Sequence, residues 1–166
     1  LSGIVEADET YVGGKVRKGK GRRGRPTAKD TNKVPVFSLV ERNGSVTSRV
    51  VDRVTGNNLK SIIKEKVDKS ATMMTDDFHS YIGLKKDFAD HKVIKHALGQ
   101  YVNGDIHTNT IEGYFSILKR GIIGVYHHVG KQHLHRYLNE FDFRAVYYQI
   151  QVKVLHHGGC KCCCHN

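Results

Sequence analysis

Three acidic residues stand out by where they fall in the hydrophobic pattern. Asp8 lies within an apolar, strand-like run from Ile4 to Thr10, and Asp76 directly follows the short β-rich run Ala71 to Thr75. Glu112 opens a segment whose apolar residues, Ile111, Phe115, Leu118 and Ile122, recur at helical spacing. A carboxylate inside an apolar strand needs a reason. Three carboxylates gathered together cannot all stay ionised without a cation, and ligands that offer only oxygen suit Mg²⁺ or Mn²⁺. Two such ions, roughly 3.5–4 Å apart, activate an attacking water or 3′-hydroxyl and stabilise a leaving oxygen. Any one of the sixteen acidic residues taken alone is ordinarily a surface charge; the elements that carry these three argue for convergence. Lys119 falls two helical turns after Glu112, close to the same angular position, where a cation can reach a phosphate.

The elements that must position these residues follow from periodicity and turn chemistry. Val34 to Glu41 and Val46 to Val54 are β-rich runs joined by Arg42-Asn-Gly-Ser45, a strong hairpin signal. Asn57 or Asn58 can cap a helix running to about Val67, with Leu59, Ile62, Ile63 and Val67 on one face. Tyr81 to Phe88 is expected to be helical and His91 to His96 a short strand. A helix starts near Thr108 to Thr110 and ends before Gly124; a last one spans Lys131 to Ile150, with Leu134, Leu138, Phe141 and Ala145 on its apolar face. The order is strand, hairpin, helix, strand, helix, strand, helix, helix. It implies an α/β domain over residues 1–150: a ribonuclease H-like mixed sheet, an antiparallel three-stranded meander plus parallel strands, with helices on both faces. There the first and fourth strands are neighbours at the sheet centre, so Asp8 and Asp76 can meet a glutamate from a packed helix.

Charge points to the partner. The 27 Lys and Arg against 16 Asp and Glu give +11, with a pI near 9.6. Such a surplus favours a polyanion, because each phosphate contact releases condensed counterions. The segment 15–33, with Lys15, Arg17, Lys18, Lys20, Arg22, Arg23 and Arg25, has too little apolar content to fold alone and reads as a mobile basic loop and candidate DNA clamp. No apolar run spans a bilayer. All four cysteines fall in the last seven residues, and a cysteine-free body fits a reducing compartment. That implies the cytoplasm, beside the nucleoid, in a bacterial host, or the nucleus in a eukaryotic one. The tail 151–166 reads as irregular, and its adjacent cysteines lack the spacing of a structural zinc site. His127, His128, His133 and His135 lack completing ligands and suit structural or DNA-contacting roles. A chain opening on Leu1 almost at the first strand, and closing on such a tail, fits a fragment or truncated copy.

These motifs carry a family resemblance. Glu6 to Lys15 (EADETYVGGK) resembles the opening of the transposase domain of ISXO-type insertion sequences, in the family usually numbered fifteen ninety-five. Thr75 to Tyr81 (TDDFHSY) is similar to its second motif and His107 to Gly121 (HTNTIEGYFSILKRG) to its third. Gly124 to His128 and His133 to Arg144 continue the likeness, which runs from about residue 3 to 144. The resemblance implies a DDE-type enzyme that cleaves DNA and transfers strands by attack on phosphodiesters. It implies Asp8, Asp76 and Glu112 as ligands of two Mg²⁺ or Mn²⁺ ions, and Lys119 as a catalytic lysine beside the DNA-contacting Arg120. Asp76 is preferred to its neighbour Asp77 because it directly follows Thr75. Asn109 is a possible site neighbour, though a helix-capping role suits it better. The implied partners are double-stranded DNA, as transposon ends and target, and further copies of the chain on that DNA, with no membrane and no small-molecule substrate. Family members usually recognise transposon ends through an amino-terminal region, so specific end recognition is not expected of this chain. A ribonuclease H-like nuclease without strand transfer, or a catalytically inactive DNA-binding relic, are the alternatives.

Overall fold

A computed structural model describes residues 1–13, 33–42, 44–94, 107–127 and 129–157, with only the backbone of 149–157. The basic residues Lys15 to Arg25, His128 and the cysteines of the tail lie outside the described residues. Five strands form one sheet: β1 (Ile4–Val12), β2 (Val34–Glu41), β3 (Val46–Val50), β4 (Thr72–Asp76) and β5 (Asp90–Ile94). Their order across the sheet is β3-β2-β1-β4-β5. β2 runs antiparallel to both β1 and β3, while β4 is parallel to β1 and β5. This is the ribonuclease H-like arrangement, with β1 at the centre.

Alternation along β1 divides the molecule into two layers. Val5 and Ala7 point to one face, where they join Phe37, Leu39 and Met73 under Leu59 and Ile63 of helix α1 (Gly56–Lys66) and under Tyr81, Leu84 and Phe88. Val12 points to the other face, with Val36, Val40 and Val46. These pack under Ile111, Phe115 and Leu118 of α2 (Asn109–Arg120) and Leu134, Leu138 and Phe141 of α3 (Leu134–His157). The apolar faces expected from periodicity are the ones buried. The expected Arg42–Ser45 connection joins β2 to β3, with Glu41 N–H bonded to Ser45 C=O at 2.9 Å.

Several local expectations give way to tertiary context. The segment Tyr81 to Phe88 forms no α-helix but two single 3₁₀ turns, His79–Tyr81 and Leu84–Lys86. Gly83 between them takes a φ of +91°, in the left-handed region that ends a right-handed helix. Helix α1 is capped by Thr55 rather than Asn57 or Asn58; Thr55 is extended, and its side chain accepts from Asn58 N–H at 3.5 Å. β3 stops at Val50, short of Val54, and β5 begins one residue early, at Asp90. Past Arg120 the chain widens into a π turn, Gly121–Val125. Helix α3, preceded by a 3₁₀ turn at Lys131–His133, continues to His157, so residues 151–157 of the expected irregular tail are helical. Nothing between Ala145 and His157 stops it, since the next glycine is Gly158.

Two contacts lock α3 in place. Asp142 accepts from Ser48 N–H and Ser48 Oγ, each at 2.7 Å, and from the Tyr114 hydroxyl. Its carboxyl is thereby joined to both β3 and α2, and burial pushes its pKa up. Gly121 is the second, because a Cβ there would overlap the ring of Phe141, which is buried in the core. Gly124, three residues on, faces open space. Gly121→Ala should therefore destabilise the protein by about 1–3 kcal/mol through overpacking. Gly124→Ala should be neutral or mildly stabilising; chemical denaturation of the two variants checks the contrast.

Candidate active site

The two aspartates are brought side by side by the parallel pairing of β1 with β4. The register sets Ala7 opposite Thr75, and one residue further along each strand stands its aspartate, Asp8 or Asp76. β4 is apolar on both sides, with Met73, Met74 and Thr75 all buried, so Asp76 is the first half-exposed position at its carboxyl end. Asp77 lies beyond the strand and is exposed. The third carboxylate arrives on α2, whose apolar stripe of Ile111, Phe115 and Leu118 seats the helix on the Asp8 side of the sheet. Glu112, next to Ile111 in the first turn, is exposed.

The Asp8 carboxyl responds to charges on other elements. Burial pushes it up to about 7; the Glu9 backbone N–H that it accepts at 2.7 Å opposes the shift, and the charges of Asp76, Glu9 and Glu112 add to it. The field of Asp8 thus includes Asp76 and Glu112, from two other elements. Glu9 is also raised, first by burial; the Tyr81 hydroxyl, which donates to it at 2.5 Å, lowers it and Asp76 raises it. Asp76 Oδ1 accepts from Phe78 N–H at 3.1 Å, and Glu112 accepts from Thr108 Oγ1 at 3.3 Å.

The donor set is oxygen-only, and the charges of Asp76 and Glu112 raise the Asp8 carboxyl, which suits a hard divalent cation. Among the described residues, however, no group of three or more His, Cys, Asp or Glu side chains is arranged to hold a metal ion. The described histidines expected to have structural or DNA-contacting roles, His127, His133 and His135, are exposed, and His127 adopts a φ of 57°. Lys119 and Arg120 are exposed in the last turn of α2, the lysine on the same side as Glu112. Asn109 is the first helical residue and exposed; the cap position belongs to Thr108, whose side chain makes no capping bond.

Sequence reasoning passed over Glu6. It is fully buried on β1, and it accepts from Ile111 N–H at 2.9 Å, Thr110 Oγ1 at 3.0 Å and Arg42 Nε at 2.7 Å. Its signal was available: Glu6 and Asp8 are two apart on a strand and so share a face. The partners, 36 and 105 residues away, were not legible.

Residues 1–145 match the family model described as the ISXO2-like transposase domain. Over 157 residues the chain is 32% identical to a protein of Halobacterium salinarum described as an uncharacterized protein in transposable element ISH50. That match covers 87% of this chain and 52% of the relative, so the chain spans about half its length. Two solved structures also align with 88% of the chain at 14% identity. They are the Mos1 transposase paired-end complex with left transposon end (TM-score 0.36, 55% of that chain covered) and the Mos1 strand transfer complex (TM-score 0.35, 54% covered). No helix of the described residues is long and apolar enough to cross a membrane.

A pH response follows from Asp8. In metal-free protein its folded form keeps a proton up to about 7, whereas the unfolded chain releases it near 3.8. The folded state therefore binds more protons across that window, and this contribution to stability is present on the acid side and lost as pH rises through the folded value. With chelator present, Asp8→Asn should melt higher than the parent on the alkaline side of the window. The gap should close on the acid side, as thermal melts across pH will register.

Proposed function

The chain belongs to the ISXO2-like transposase domain family, and on that premise we propose that it is a transposase core that cuts DNA at transposon ends and joins the cut strands to a target. In this reading Asp8, Asp76 and Glu112 hold Mg²⁺ or Mn²⁺. The observation that carries it is the half-buried Asp8 carboxyl at the end of the β1–β4 pairing, raised to about 7 and lying in the fields of both Asp76 and Glu112. When bound, a divalent pair lowers the pKa of an attacking hydroxyl and stabilises the leaving oxygen. The chain's own residues supply the remainder. Asp8 and Asp76, on neighbouring strands of the sheet centre, form the rigid part of the set, and Glu112 adds the helical part. Lys119 and Arg120 offer positive charge to flanking phosphates along the same helix, and the net charge of +11 draws the duplex in. Lys15, Arg17, Lys18, Lys20, Arg22, Arg23 and Arg25 add further positive charge for the duplex. Copies of the chain assemble on paired ends, in the cytoplasm of a bacterial host or the nucleus of a eukaryotic one.

A second reading draws on a different observation. Because no ready-made ligand group exists among the described residues, a catalytically silent DNA binder is the competitor. A nuclease that cuts without joining is the rival within enzymes.

Purified protein with supercoiled plasmid and Mn²⁺ should yield nicked circles. Asp8→Ala and Glu112→Ala should each lower the rate by more than about 100-fold, since losing even a ligand's hydrogen-bond partner costs about 10–100-fold. DNA binding without nicking would favour the silent reading. Nicking with no joining of a 3′-hydroxyl donor would favour the nuclease. Lys119→Ala should reduce the slope of log affinity against log salt by about 0.9, the value of one phosphate contact.

A further inference from the structure

We propose that Glu6 is a positioning residue that sets the place of Glu112 relative to Asp8 and Asp76. The inference rests on the reading of those three as the metal-holding set, and it concerns how the third member is held. Helix α2 has Thr108 at its cap position, and that side chain makes no cap bond to the first turn. The cap comes instead from another element. Glu6 Oε2 accepts from Ile111 N–H at 2.9 Å, and Oε1 accepts from Thr110 Oγ1 at 3.0 Å. Ile111 immediately precedes Glu112. The carboxylate that caps the helix therefore stands on the same strand face as Asp8, two residues before it.

Arg42, in the β2–β3 connection, completes the arrangement. Its Nε donates to Glu6 Oε1 at 2.7 Å, and its Nη2 donates to the carbonyl of His107 at 2.7 Å, the residue just before the cap. Arg42 Nη2 also lies 3.0 Å from His107 Nδ1 and donates to Met74 Sδ on β4 at 3.0 Å. The backbone N–H of Arg42 bonds to Ile4 C=O at 2.9 Å, anchoring it to β1. Glu6 and Arg42 thus tie β1, β4 and the start of α2 into one polar cluster.

Apolar packing alone does not do this. The contacts of Ile111, Phe115 and Leu118 are non-directional, and a helix slipping by one residue turns each side chain by about 100° and moves it about 1.5 Å along the axis. Such a slip would carry Glu112 away from the aspartates. A local cap from Thr108 would satisfy the helix end without relating it to the sheet. A charge-assisted cap from β1 does both, because its direction and length are set by the strand that also carries Asp8.

The test uses the full chain. Glu6→Gln keeps the shape but strands the Arg42 charge, so it is paired with Glu6→Gln/Arg42→Gln, which removes both charges. Thr110→Val, which deletes one donor and buries no new charge, is the milder second variant. Cooperative thermal melts identify the folded variants. Hydrogen–deuterium exchange then reads the amides of 109–113, Mn²⁺ titration calorimetry reads the site, and plasmid nicking reads activity.

In the folded double variant, exchange at 109–113 should rise about 10- to 100-fold, with β1 and β4 still protected; Thr110→Val should give about 3- to 10-fold. Mn²⁺ affinity and nicking should fall to the level of Glu112→Ala, and adding the double change to Glu112→Ala should lower neither further, the signature of two residues acting as a unit. Unchanged exchange at 109–113 in both variants overturns the proposal. So do losses that multiply with those of Glu112→Ala, which would make Glu6 a general stabiliser. If the unaltered chain neither binds Mn²⁺ nor nicks DNA, the transposase reading fails, and the exchange data alone decide whether Glu6 fixes the helix.

Discussion

A carboxylate with no exposure to solvent, in the middle strand of a sheet, is tolerable only if protein groups replace the water it has lost. Glu6 meets that condition through a helix N–H and a threonine hydroxyl from the first turn of α2 and an arginine from the β2–β3 connection. Leaving any of these partners out would strand buried polar groups on both sides, because Arg42 is itself largely covered, at 14% exposure. The first turn of α2, the β2–β3 connection and the central strand are consequently one mechanical unit. Every statement about where Glu112 stands depends on it.

The remaining architecture divides labour between the faces of β1. Toward α1, Val5 and Ala7 are plain core, and the polar residue there, Glu9, is occupied by Tyr81. Toward α2, the same strand offers Glu6, Asp8 and Thr10 before returning to apolar Val12. Below them a second polar cluster runs outward from Ser38, which pairs with Asp8 across the β1–β2 ladder. Ser38 Oγ lies 2.8 Å from Ser48 Oγ, and Ser48 and Tyr114 both bond to Asp142 of α3. Two helices are thereby pinned to the Asp8 face of the sheet by directional bonds, in addition to their apolar stripes. The Gly121 contact with the Phe141 ring sets how closely they approach each other.

The places where local sequence signals misled share a physical cause. Asn57 and Asn58 are good caps in isolation, yet β3 ends early and leaves Thr55 extended at the position that a cap requires. Tyr81 and Leu84 have helical spacing, but both point into the α1-side core from separate 3₁₀ turns, with a left-handed Gly83 between them. Asn109 looked like a cap because asparagine favours that role, and Thr108 took the position while Glu6 took the bonding. At α2 a tertiary contact outweighs a capping preference worth about 1 kcal/mol.

Residue order alone determined the sheet topology, the central placement of the first and fourth strands and the apolar faces of the helices. It could do so because strand and helix periods map sequence onto faces directly, and because few topologies accommodate that order of elements. Tertiary structure decided what periodicity does not encode. It put Asp76 and Glu112 in the field of Asp8, raised the Asp8 carboxyl by burial, and gave α2 a cap from a strand 105 residues earlier. Those outcomes depend on desolvation and on the direction of individual hydrogen bonds, and both come into being only when distant segments are packed against one another.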